Sequence, residues 1–203
     1  MIRRLFVRSL VLAAALAMCA AVAAAQRLTV SGPDVAIWNI AGATTVEPGP
    51  GPDVVVEVHA RGEDADRLTI TRGPIRGRST LRVIYPGRRV VYEAMPGRGR
   101  SSARVRSDGT FNDGSDLLAR TVDVASGGSG LHAWADLRVL VPAGQKVAIY
   151  TIVGPFTATN VDGTVRLDGG SSTVSATGGK GPLTVDVGSG TVAVGRHRGD
   201  VLV

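Results

Sequence analysis

From Gln145 onward the apolar residues recur every nine positions with a constant phase. Cut into rows, the sequence reads QKVAIYTIV, GPFTATNVD, GTVRLDGGS, STVSATGGK, GPLTVDVGS, GTVAVGRHR and GDVLV. The third position of every row is apolar: Val147, Phe156, Val165, Val174, Leu183, Val192 and Val201. So is the fifth: Ile149, Ala158, Leu167, Ala176, Val185, Val194 and Val203. The fourth is mostly small or polar, and Gly opens the rows at 154, 163, 181, 190 and 199. Two apolar positions flanking an outward one make a short strand with one buried face, and the Gly-containing remainder makes a turn. Such a strand cannot bury its face alone, so the rows must stack. Two rows form one 18-residue coil, which places Val147, Val165, Leu183 and Val201 in one ladder and Phe156, Val174 and Val192 in another. The pattern predicts an all-β fold with a β-solenoid-like stack over 145–203. An antiparallel meander has the same period; the constant phase of Gly favours the solenoid.

Upstream, short alternating runs bounded by Gly, Pro and Asp predict a β-sheet region over 26–141. Strands are expected at 35–40, 54–60, 67–71, 80–85, 90–94, 121–125, 132–141 and 147–151. The run Glu47-Pro-Gly-Pro-Gly-Pro52 reads as a turn or loop, because proline cannot serve a central strand. Residues 97–114, rich in Gly and Arg, read as a mobile loop, and 126–130 as a second flexible stretch. The repeats end at Val203 in mid-strand with no polar cap. Either another chain covers that edge, which would be self-association, or 67–141 folds back over it.

The first 25 residues predict a secretory signal peptide. Arg3, Arg4 and Arg8 precede an apolar run from Leu10 to Ala25, which closes in Ala23-Ala24-Ala25. That run is short for a membrane span. A lipoprotein reading through Cys19 has Met18 where a small residue is required. Cleavage after Ala25 leaves 26–203 with no cysteine, so neither a disulfide framework nor a Cys-based zinc site is expected. It also lowers the formal net charge from +6 to +3, with Lys+Arg falling from 23 to 20 against 17 Asp+Glu. The charge is unevenly placed. Between residues 72 and 106 there are ten Arg and one acid, Glu93.

The stretch from Val141 to Val203 resembles a bacterial adhesin family, a domain of unknown function in exported and envelope proteins. The similarity lies in the V-P-x-G entry at Val141–Gly144, the aliphatic strand after it, the G-x-V-x-V steps, and the N-V-x-G and G-S-G turns at 160–163 and 188–190. Residues 35–46 and 54–60 resemble the family's opening strands. The likeness runs from Leu28 to Val203 and is specific from Leu137. It implies a β-solenoid-like fold and an envelope location, and brings no catalytic motif. The Arg-rich stretch and the 97–114 segment depart from the family.

Candidate chemistry is sparse. Calcium-binding nine-residue rolls need G-G-x-G-x-D-x-U-x; here Asp168 and Asp186 stand one coil apart, but the required glycines are missing. The acids Asp162, Asp168, Asp186 and Asp200 lie at turns or strand ends, with no pocket predicted around them to raise one pKa for glycoside chemistry. No G-x-S-x-G elbow is present. Thr157, Thr173, Ser175 and Thr191 offer an outward hydroxyl array, and Trp38 and Trp134 read as packing residues rather than sugar platforms. No catalytic residue, cofactor or metal ligand is assigned. The best candidate site is the basic segment: Arg72, Arg76, Arg78, Arg82, Arg88, Arg89, Arg98, Arg100, Arg104 and Arg106. Guanidinium groups grip phosphate or carboxylate bidentately, so the segment is either a polyanion-binding surface or a solvated charge row that blocks aggregation. Its expected partners are anionic glycan, lipopolysaccharide or a phospholipid surface; nucleic acid is not an expected physiological partner for an exported protein. The expectation is therefore an exported, non-enzymatic envelope protein, periplasmic or envelope-associated, acting by adhesion or by binding an anionic component. A polysaccharide-acting β-helix enzyme and a self-assembling structural protein are the alternatives.

Overall fold

The computed structural model describes residues 25–95, 99–113 and 118–203. The expected signal peptide up to Ala24, Cys19 within it, and Arg98 lie outside the described residues. Apart from one 3-10 turn at Ala65–Arg67, every regular element among the described residues is a strand. In chain order these are β1 (Gln26–Val30), β2 (Asp34–Ala41), β3 (Thr44–Pro48), β4 (Val54–Arg61), β5 (Thr69–Ile75), β6 (Arg78–Ile84), β7 (Arg89–Val91), β8 (Arg100–Val105) and β9 (Arg120–Ala125). There follow β10 (Trp134–Val141), β11 (Gln145–Val153), β12 (Phe156–Thr159), β13 (Gly163–Ser171), β14 (Val174–Thr177), β15 (Leu183–Ser189), β16 (Val192–Gly195) and β17 (Val201–Leu202). They form three sheets: β1-β4-β10-β3-β12-β14-β16, β17-β15-β13-β11-β2-β6-β5, and β7-β9-β8.

Successive rows alternate between the first two sheets, and each strand pairs in parallel with the one two rows on. Val147 opposes Val165, Val165 opposes Leu183, and Leu183 opposes Val201. Phe156 opposes Val174, and Val174 opposes Val192. These are the two predicted ladders, and their parallel sense replaces the antiparallel meander. The constant phase of Gly has a steric cause. A Cβ on Gly154 would lie 2.0 Å from the Gly42 carbonyl oxygen, and one on Gly190 would lie 1.9 Å from that of Ser172. Backbone meets backbone at these two positions, where glycine leaves the room a side chain would take.

The stack begins earlier in the chain than the row pattern shows. Val35 opposes Val147, Ile37 opposes Ile149 and Thr44 opposes Phe156, all in parallel. Residues 34–48 therefore supply a row pair in register with the repeats, although 54–141 comes between them in sequence. Beyond that pair, β10 runs parallel to β3 and antiparallel to β4, and β6 runs parallel to β2. The first two sheets bury Val35, Ile37, Ile149 and Leu167 on one side and Val46, Phe156, Val174 and Ala176 on the other. Each full burial of a large aliphatic or aromatic side chain contributes about 1.5–3 kcal/mol. The third sheet and the segment after β8 cover the outer face of the second sheet. There Trp38 stacks on Tyr150 with centroids 4.8 Å apart, and its indole N–H donates to the Phe111 carbonyl at 2.9 Å.

Several expectations need correction. Residues 97–114 are not one loop: Arg100–Val105 is strand β8, antiparallel to β9, with Ser101, Ala103 and Val105 on its more buried side. β3 runs into the proline-rich stretch as far as Pro48. It pairs with β10 along its whole length but with β12 only over Thr44–Val46, so the proline faces the side that needs no N–H. The strand expected at 67–71 starts at Thr69, after the 3-10 turn, and that expected at 90–94 ends at Val91. β1 was not anticipated. The described residues of 67–141 do not fold back over the final row. β16 and β17 are sheet edges, and Val201, Leu202 and Val203 are 43%, 67% and 71% exposed.

Candidate functional site

The Arg-rich segment is largely used inside the protein. Arg76 and Arg106 converge on the carboxylate of Asp113. Arg78 pairs with Asp34 at 2.8 Å and reaches the Tyr150 hydroxyl at 3.3 Å. Arg82 is buried and donates to the Asp108 carbonyl at 3.2 Å. Arg72 donates to the Thr29 carbonyl and Arg104 to the Ala119 carbonyl. Arg89 is half-buried beside Gly128 and Gly130, its Nε without a partner. Arg88 and Arg100 are exposed. The structure thus spreads these cations over several elements. Burial pushes the Asp34 carboxyl up, but the hydrogen bonds and charges of Lys146 and Arg78 outweigh it and hold the group below the usual carboxylate range.

Asp168 and Asp186 do stand opposite one another, but Arg166 lies between them, 2.8 Å from the first and 3.5 Å from the second. Asn112 donates to Asp168 as well. A guanidinium thus occupies the position a calcium ion would need. Of the hydroxyl array, Thr157 opposes Ser175, and the ladder extends to Thr45 on one side and Ala193 on the other.

The described residues enclose an open groove of about 720 Å³. Its three sides come from separate parts of the chain. One rim is the corner between strands of successive rows, with Pro155, Thr173 and Ser189 at its exposed edge. The opposite wall is Tyr92, Ala94 and Met95, which follow β7. Arg61 from β4 and Trp134 and Asp136 from β10 also line the groove. Trp134, only partly buried, packs on Tyr92 with ring centroids 5.6 Å apart and planes tilted by 58°. Asp136 accepts from the Ala43 backbone N–H at 3.0 Å and faces Arg61 Nε at 3.5 Å. Burial and the nearby Asp136 charge push the Tyr92 hydroxyl up, so it stays protonated and able to donate.

A buried polar network fixes this side of the groove. The Tyr85 hydroxyl lies 2.7 Å from Asn39 Oδ1 and 2.9 Å from the Ala41 carbonyl oxygen. Asn39 Nδ2 donates to the Ala135 carbonyl at 2.7 Å. The network ties β2 and Tyr85, just beyond β6, to the start of β10, where Trp134 and Asp136 flank Ala135. Burial pushes the Tyr85 hydroxyl far above its ordinary range. Trp134 packs on Tyr92, as expected of a packing residue, and also lines the groove; the sequence does not single out Arg61, Met95 or Asp136. No local motif marks them, because the groove assembles from segments scattered between residues 43 and 190. No protein-family model matches the chain, and no curated protein or solved structure matches it either.

Proposed function

We propose that this chain is an exported, non-enzymatic envelope protein of the bacterial adhesin type, whose rows wind as a β-solenoid and whose groove beside the row corners binds an envelope component. The observation that carries the reading is the groove itself. Its volume lies in the ~300–1,000 Å³ range of small-ligand sites, and apolar walls surround a few convergent polar groups. The parallel register and the Gly corners support the solenoid, and the basic, then apolar, then Ala-rich beginning of the chain supports export. Binding is favoured over glycoside cleavage because cleavage takes two carboxyl groups flanking the bond. Among the described residues the groove presents one, Asp136, already engaged by Ala43 and Arg61.

The test is to express the full chain in a Gram-negative host and ask two things. The product should be recovered outside the cytoplasm with Gln26 as its first residue. It should retain an envelope extract that the Ala94→Trp variant does not, since Ala94 is exposed in the groove wall and a large ring there fills the space. An uncleaved cytoplasmic product, or retention indifferent to Ala94→Trp, overturns the reading.

A further inference from the structure

We propose that the groove recognises a neutral oligosaccharide, with one sugar ring against Trp134 and its hydroxyls read by Tyr92, Arg61 and Asp136. This rests on the groove being the ligand site. A pyranose ring has an apolar face of C–H groups and a polar edge of hydroxyls, so it needs one aromatic wall and donors and acceptors at its margins. Trp134 supplies the wall, backed by Tyr92. The Trp134 indole N–H and the Tyr92 hydroxyl bond no described residue, so two donors remain for a ligand. Asp136 supplies an acceptor and Arg61, its side chain 51% exposed, further donors. The hydroxyls of Thr173 and Ser189 face the same space from successive row corners.

Charge and shape choose among ligand classes. Among the described residues lining the groove and the shallow trough that continues from it, the charges of Asp136, Arg61 and Arg138 are already paired, Asp136 with Arg61 and Arg138 with Glu47 and Glu57. An anionic ligand would have to break those pairs, whereas a neutral polyol adds to them. An acyl chain draws its affinity from complete withdrawal from water, and an open groove leaves one side of it wet. The Tyr85–Asn39 network holds the recognition groups in place before binding, which lowers the ordering cost of the complex.

The proposal is tested by calorimetric titration of the exported product of the full chain. The probes are neutral hexasaccharides of glucose, N-acetylglucosamine, galactose and mannose, a galacturonate hexamer, and cis-parinaric acid. At least one neutral hexasaccharide is expected to bind with little salt dependence. Trp134→Ala should weaken it more than tenfold, Trp134→Phe should keep most of the affinity, and Ala94→Trp should abolish it. Near-ultraviolet circular dichroism of the buried Trp38–Tyr150 stack checks that each variant is folded. If only the galacturonate or the fatty acid binds, and Ala94→Trp abolishes that binding, the oligosaccharide assignment falls while the groove remains a binding site. If no probe responds to Ala94→Trp, both fall.

Discussion

Ser172 keeps its hydroxyl buried with no hydrogen-bond partner among the described residues. It opens its row at the position Gly154 and Gly190 hold in neighbouring rows, and its Oγ faces Gly169. A buried hydroxyl that has left water without a new partner costs free energy, so Ser172→Ala is expected to raise stability by about 1 kcal/mol. The gain should appear as a higher urea midpoint at unchanged m-value. The opposite sign is expected at Gly190. Its φ is +138° and the Ser172 carbonyl oxygen occupies the place of a Cβ, so Gly190→Ala should lower the same midpoint. Asp34 brings a pH dependence. Its carboxyl is held below the usual value in the folded protein, so it contributes stability above the unfolded-state pKa, about 3.9. That contribution is lost as pH falls through the lower folded value. Asp34→Asn should therefore flatten the acid limb of a stability-against-pH curve below about pH 4.

At the scale of elements, the Arg-rich segment divides into residues that hold strands and residues that face solvent. Arg78 clamps β6 to the start of β2 through Asp34 and the Val35 carbonyl. Arg106, with Arg76, gathers the chain after β8 onto Asp113. Arg78→Ser and Arg106→Ser should each cost about 2 kcal/mol, the value of a charge-assisted hydrogen bond lost from a protected site. The double change Arg88→Ser, Arg100→Ser should leave the melting temperature unaltered. Binding to anionic vesicles at low salt, if it falls, should fall in this double variant. The same division shows what was legible in the sequence. The rows were, because a buried face and a glycine corner impose a period on every residue. β8 was not, because its inward side is Ser101, Ala103 and Val105, and two small residues among arginines carry little hydrophobic signal. Nor was the partnering of the arginines, since a charge along the chain gives no information on which carboxylate the fold brings to it.

Over the whole molecule, order should decline along the stack. β11 is paired on both sides and its Val147, Ile149 and Ile152 are buried. β15 ends in exposed residues, the Val192 and Val194 side chains are only partly covered, and β17 has a neighbour on one side. Amide hydrogen exchange is expected to be slowest in β2 and β11, faster in β15, and fastest in β17. The N-terminal row pair, β2 and β3, is completed by strands that follow about a hundred residues later, and the groove straddles that interval. One rim belongs to stacked corners where backbone packs on backbone. Its aromatic pair, Tyr92 and Trp134, with Met95 beside Tyr92 in the lining, arrives on the excursion between the first row pair and the rest. The stacked corners and the opposing side chains of the groove therefore come from different stretches of the same chain. Ala94, exposed and outside every strand, is the position in the groove wall where a side chain can change at least cost to the stack, whereas Ala135 and Asp136 bond Asn39 and Ala43 of the first row pair and are tied to it.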